Sequence, residues 1–465
     1  LTDLYELTML AGYFERGMCE KPAHFDLFFR RHPFQGGYAV FAGLEPALHY
    51  LENLRFSEED LAYLAGLGLF REDFLDYLRG FRCRCRVTAA AEGCVVFANE
   101  PLVTVSGCLA EAQLVETALL NILNFQTLIA TKAARIRIAA GNAQVVEFGL
   151  RRAQGPDGGL SASRAACVGG VRRTSNVQAG QVFGIPVSGT HAHSWVMAFP
   201  TELEAFRAYA EVFPDAAILL VDTYDTLSSG IPNALRVASE LRSRGHELQG
   251  IRLDSGDLAY LSRQARSIFD EAGFPAVRIV ASNELDEHVI SAIRHDGGQV
   301  DVYGVGTELA TGGGAGGGAL GGVYKLVSFA GQPRMKVTSD ITKASLPGEK
   351  MLLRLIDDDG RFLQDVICTA GERLAPGATV YDPLNPSRRK SIPACRMENL
   401  RSVVMDDGKI VTGLPGLKQS ADHCAEQLQR LPEGTLRLHN PHSYKVSISP
   451  DLHRLREDLL RHYPH

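Results

Sequence analysis

LQGIRLDSGD, residues 248–257, sets a short apolar run against a turn of serine, glycine and aspartate. Runs of the same kind occur at AQVVEFG (143–149), GIPVSGTHAH (184–193), AAILLVDTYD (216–225), AVRIVASNE (276–284) and VDVYGVGTE (300–308). Asp222 and Asp254 are 32 positions apart and Asp254 and Ser282 28, the length of one strand, one helix and two loops. Between the runs the apolar spacing turns helical. Leu258, Leu261, Ala265, Ile268 and Phe269 share one face, with Asp257 in the first turn and Gly273 as the stop. Gly230-Ile231-Pro232 opens a second helix that ends near Gly245. Consecutive βα units are expected, with parallel strands buried on both faces.

In such units the carboxyl ends of the strands carry the chemistry. Those ends hold Glu147, Arg151, Thr190, His193, Asp222, Asp225, Arg252, Asp254, Asp257, Ser282, Asn283, Gly304, Gly306 and Thr307. Acids, arginines, hydroxyls and glycines in one ring suit a phosphorylated, metal-bound substrate. Arg252 and Asp254 alternate with apolar neighbours, so both point to one side of their strand. That is costly unless they pair with each other or hold a ligand. Gly304-Val305-Gly306-Thr307 follows a strand directly and reads as a phosphate cradle. His191 and His193 offer three readings: metal ligand, satisfied buried histidine, or phosphoryl-carrying nucleophile.

Outward from this rhythm, residues 109–140 have helical spacing and no proline, read as one long buried helix or two abutting ones. Residues 1–108 mix short helices and strands, among them SEEDLAYLAGLGLF (57–70) and RCRVTAAAEGCVVFA (84–98). Beyond 323 the pattern becomes strand and loop, as in GQPRMKVTSD (331–340), with a helical end. Three parts are expected: 1–108 in an outer α+β domain, 109–322 as helical connection and catalytic α/β domain, and 323–465 packing back on the first. Eight glycines in 312–322 read as a flexible connector.

The chain has 465 residues, 45% of them apolar, and a net charge of −6. It therefore lacks the basic field that collects nucleic acid, and no apolar stretch is long enough for a membrane. It opens on Leu1 rather than Met, so a few leading residues are expected upstream, and it shows no signal-peptide pattern. Nine scattered cysteines point to reduced thiols in a cytoplasm. Cys83 and Cys85 have no second pair at zinc-finger spacing, so structural zinc is not expected.

Eleven segments, in order, resemble the nicotinate phosphoribosyltransferase family: LTDLYELTM (1–9), FFRRHPF (28–34), residues 109–141, FGLRRAQGPDGGLSAS (148–163), TSNVQAG (174–180), GTHAHSW (189–195), DTY (222–224), GIRLDSGDL (250–258), SNELDE (282–287), YGVGTELAT (303–311) and LGGVYKLV (320–327). The resemblance implies a type II phosphoribosyltransferase fold, an irregular TIM-like α/β barrel with a second α+β domain formed from both termini. It implies ATP-assisted synthesis of nicotinate mononucleotide from nicotinate and 5-phosphoribosyl 1-pyrophosphate, with Mg2+, in a homodimer with shared active sites.

Carried onto this sequence, the resemblance makes Tyr5, reaching across the dimer, and Phe148 the two faces around the pyridine ring. Thr190 and Arg252 match nicotinate-binding positions, with Arg151 assisting. His193 matches the phosphorylated histidine, Asp222 and Asp254 the acids beside ribose and metal, and Gly304, Gly306 and Thr307 the 5-phosphate cradle. Mg2+ is expected mainly through substrate, with Asp222 and Asp254 as protein ligands. The rivals are a nicotinamide phosphoribosyltransferase and a catalytically silent binding barrel.

Overall fold

The computed structural model describes residues 1–337 and 345–462. The chain divides into two compact units, one of residues 1–128 with 319–465 and one of residues 129–318. Among the described residues no helix is long and apolar enough to cross a membrane.

In the first unit, strands from both ends of the chain share one sheet. Its seven strands run in the order 332–333, 322–329, 22–29, 103–108, 86–90, 401–406 and 409–410, all antiparallel. Phe25 stacks on Tyr324 across the pairing of the strands 22–29 and 322–329, inside a core of Leu, Val and Phe side chains. A second, six-stranded sheet is built on the hairpin of Lys350–Ile356 and Phe362–Thr369. The sequence 57–70 forms the helix Glu58–Gly66, capped by Ser57, whose hydroxyl accepts from Asp60 N. Residues 109–140 form two helices, Leu109–Leu114 and Glu116–Ala140, meeting at Val115. Of GQPRMKVTSD, Gln332–Pro333 is a short strand and residues 338–340 lie outside the described residues.

In the second unit the strands are β1 (Gln144–Glu147), β2 (Ile218–Leu220), β3 (Gly250–Leu253), β4 (Arg278–Ser282) and β5 (Val302–Val305). They form one sheet, order β1-β5-β4-β3-β2, with every pairing parallel. Its helices, in chain order, are α1 (Gly155–Val168), α2 (Val177–Phe183), α3 (His193–Met197), α4 (Glu202–Val212), α5 (Ile231–Ser243), α6 (Leu258–Glu271), α7 (Glu287–His295) and α8 (Thr307–Thr311). Gly230 precedes α5 where a Cβ would stand 1.8 Å from the Val221 carbonyl oxygen, so only glycine lets the helix start this close to β2. Asp257 caps α6 from just outside its first turn, its carboxylate accepting from Tyr260 N at 2.9 Å.

The barrel expectation is met only in part: the chain is mixed α/β, but the sheet is not closed. Beyond β1 it continues as two single bridges, Glu147 to Thr174 and Thr174 to Val187. Between that end and β2 the contacts are side-chain bonds, Thr190 Oγ1 to Ile218 O at 2.6 Å and Leu220 N to His191 Nε2 at 3.2 Å. Pro186 lacks an N–H, and Gly184 takes a left-handed φ of 68°, so the 184–190 segment is too irregular for a backbone ladder.

Candidate active site

The register of the parallel strands assembles the site. Leu220 lies opposite Arg252 and Leu253 opposite Ala281, so Asp222 and Asp254, just past their strand ends, and Ser282, the last residue of β4, come side by side. Arg252 ties the last two together, its Nε donating to Ser282 Oγ at 2.8 Å and its Nη2 to Asp254 Oδ1 at 2.7 Å. The Ser282 hydroxyl in turn donates to Asp254 Oδ1. Burial acts to raise the Asp254 carboxyl, but the Ser282 bond, Arg252 and His193 outweigh it and hold it below the ordinary carboxylate value. Asn283, next along, holds a φ of 79°, an uncommon conformation at the edge of the cleft.

Asp222 accepts on Oδ2 from Asp254 N and from Ser255 Oγ, each at 2.7 Å. Its Oδ1 is buried and has no hydrogen-bond partner among the described residues. An orphaned carboxylate oxygen at a strand end is a place for a sugar hydroxyl or a cation. His193 opens α3 with Nε2 3.6 Å from Asp254 Oδ2 and Nδ1 3.0 Å from Thr223 Oγ1. Its neighbour His191 is buried, and burial first of all takes its ring down to about 4, so it stays neutral and accepts from Leu220 N. The paired-histidine metal reading does not hold here: His191 is spent on the backbone.

Phe148 follows β1, and its ring occupies the space a Gly304 side chain would need: a Cβ there would lie 2.5 Å from the ring. Gly304 therefore makes room for Phe148, while Gly306, at the start of α8, is half-buried and Thr307 is exposed. The Arg252 guanidinium lies 5.7 Å from the Phe148 centroid. Phe148 and Thr190 also line a cavity of about 100 Å³ with Val146, Ile218, Val280 and Arg173.

Other strand-end groups turn out to be structural. Glu147 is buried and accepts from Gly149 N, Ser163 Oγ and Thr174 Oγ1, anchoring the loop that follows β1. Asp225 caps the turn before α5 by accepting from Ser228 N at 2.6 Å. Arg151 is exposed on the single turn Leu150–Arg152. Tyr5 belongs to the other unit, 45% exposed on the helix Leu4–Glu15. Thr223, which holds His193, has no reading of its own in the sequence, and Ser255, which holds Asp222, reads there only as part of the turn that opens a helix. Their only signal was a hydroxyl directly after an acid at a strand end.

Comparison with known proteins places this geometry in a family. Three family models match: the nicotinate phosphoribosyltransferase N-terminal domain over residues 1–124, the nicotinate phosphoribosyltransferase family over 143–345, and its C-terminal domain over 349–456. The nicotinate phosphoribosyltransferase of Bacillus subtilis (strain 168) is 44% identical over 457 residues, covering 97% of this chain and 92% of that one. That of Homo sapiens is 37% identical, covering 99% and 96%. The crystal structure of human nicotinic acid phosphoribosyltransferase superposes with a TM-score of 0.88 at 35% identity, covering 99% of this chain and 100% of that one. A nicotinate-nucleotide pyrophosphorylase from Pyrococcus furiosus shares the fold, with a TM-score of 0.72 at 24% identity over 92% and 94% of the two chains.

Proposed function

The chain belongs to the nicotinate phosphoribosyltransferase family, and from that premise we propose that it joins nicotinate to the ribose of 5-phosphoribosyl 1-pyrophosphate, with ATP assisting, in NAD salvage. The observation that carries the reading is the in-register trio Asp222, Asp254 and Ser282, the last two tied by Arg252 and the first two by the Asp254 N–H, with one Asp222 oxygen left over.

Displacing pyrophosphate builds positive charge on the ribose ring, and Asp222 and Asp254 are carboxylates on one side of a half-buried cleft that stabilise it. Nicotinate lies against Phe148 and Thr190, which line one cavity, its carboxylate met by Arg252, with Arg151 adding charge from the loop. Arg252 has a spare Nη1 for this, since its other nitrogens are taken by Ser282 and Asp254. Gly306 and Thr307 receive the 5-phosphate, with Gly304 holding Phe148 in place beside them. The free Asp222 oxygen and Asp254 fit Mg2+, which when bound neutralises the departing pyrophosphate.

His193 takes the γ-phosphoryl group of ATP, releasing ADP, and water later removes it as phosphate. Asp254 beside Nε2 favours the proton there and leaves the Nδ1 lone pair, steadied by the Thr223 hydroxyl, as the nucleophile. Exposed Tyr5 closes the pyridine site across a homodimer. The arc of five strands and two bridged segments supports a barrel completed by side chains rather than by backbone. Nine free cysteines fit a reducing cytoplasm.

The test is a coupled assay of nicotinate against nicotinamide, with and without ATP, on the native protein and His193→Ala. Native enzyme uses nicotinate and is stimulated by ATP, whereas the variant keeps a slow basal transfer without stimulation. Preference for nicotinamide, absence of pyrophosphate release, or full stimulation of the variant overturns the reading.

A further inference from the structure

Cys83 and Cys85 stand just before the strand 86–90, two residues apart and both buried. In extended chain such residues point the same way, so their sulfurs converge. The helix Leu109–Leu114 brings a third donor to them, Glu111, itself 5% exposed. The two sulfurs and a Glu111 carboxylate oxygen all lie within 4.8 Å of one another, with Cys85 Sγ 3.9 Å from Glu111 Oε2. In a tetrahedral zinc site, metal–sulfur bonds of about 2.3 Å put ligand atoms roughly 3.5–3.8 Å apart, so small side-chain shifts complete the geometry. Gly107, in the neighbouring strand, makes room for the Cys85 side chain at this spot: a Cβ there would stand 2.7 Å from Cys85 Sγ.

We propose that Cys83, Cys85 and Glu111 form a site for a thiophilic divalent cation, Zn2+, with a solvent molecule as its fourth ligand. Binding replaces two S–H bonds by two S–Zn bonds and releases two protons to solvent. Two thiolates and a carboxylate bring three negative charges, balanced by two from the ion and one from Arg84. Arg84 already bridges Glu111 at 3.3 Å and stays largely exposed, so the buried cluster carries no net charge when loaded. The site lies in the unit that does not hold the Asp222–Asp254 cleft, and its readout is metal content rather than activity.

The experiment is elemental analysis of the full chain purified under reducing conditions without chelator. About one zinc per chain is expected to survive gel filtration. Cys83→Ser and Glu111→Gln should each lower it about tenfold or more, while Cys395→Ser, remote in sequence and partly exposed, leaves it unchanged. Should those variants fail to fold, the native chain decides: cadmium loading gives thiolate-to-metal absorption, and zinc shields Cys83 and Cys85 from alkylation until a chelator is added. No zinc after reconstitution, equal alkylation with and without zinc, or a Cys83–Cys85 disulfide in the reduced preparation overturns the proposal.

Discussion

Two arginine–aspartate pairs, one in each unit, have the same chemistry and opposite uses. In the first unit Arg354 and Asp365 are fully buried, and the guanidinium is spent: Nε and Nη2 on Asp365, Nη1 on Gln427 Oε1 at 2.8 Å, and Nη2 again on Val95 O at 2.8 Å. Phe362 packs on its face at 4.4 Å, and Tyr444 donates to Asp365. In the second unit Arg252 and Asp254 are only partly covered, at 11% and 23% exposure, and Arg252 keeps one terminal nitrogen with no protein partner among the described residues. A pair whose donors are all used is architecture. A pair with a donor left over, beside an orphaned Asp222 oxygen, is a site.

The contrast breaks most easily at Arg354. Arg354→Met leaves Asp365 as a buried, unpaired charge and should cost about 3–5 kcal/mol of unfolding free energy in urea melts. A loss below roughly 1 kcal/mol would show that the buried pair contributes no more than an exposed surface pair.

Gly230→Ala comes next. Its Cβ meets the Val221 carbonyl, so the strand leading into Asp222 must shift, costing about 1–3 kcal/mol and lowering kcat with it. Unchanged kcat would separate the Asp222 position from the chemistry.

Arg252→Lys should leave stability within about 1 kcal/mol, because the site is half open, yet raise the KM for nicotinate roughly tenfold, equivalent to about 1.4 kcal/mol. Lysine cannot span Ser282 and Asp254 and still offer a planar donor. A large fall in melting temperature with KM intact would make Arg252 a second Arg354.

The smallest effect is in pH. The folded Asp254 value is depressed, so its pairing contributes fully above the unfolded value near about 3.9 and is lost as pH falls through the lower folded value. The gap in thermal stability between the native chain and Asp254→Asn should stay flat from about pH 7 to about pH 4 and narrow only below that. Narrowing already between about pH 6 and pH 5 would mean that the pair is not what holds the carboxyl down.

How far the sequence was legible follows from range. Helix starts such as Gly230 and Asp257 and the shared side of Arg252 and Asp254 are set by neighbours a few residues away, and alternation or capping displays them. Glu147 looked like a strand-end acid of the same standing as Asp222. It differs because Ser163 and Thr174, 16 and 27 residues on, consume it, while nothing consumes Asp222 Oδ1. His191 and His193 look alike in an extended chain, yet burial neutralises one and a carboxylate at 3.6 Å faces the other.

By itself the chain's order of residues determined the βα rhythm, the family likeness and the roster of polar groups at the strand ends, because local periodicity and spacing are properties of consecutive residues. Tertiary structure alone decided which of those groups remain unsatisfied, that the parallel sheet stays open between its bridged end and β2, and that Glu111 meets Cys83 and Cys85. Those outcomes depend on strand register and on depth from water, which join residues far apart in the chain and leave no periodic trace in it.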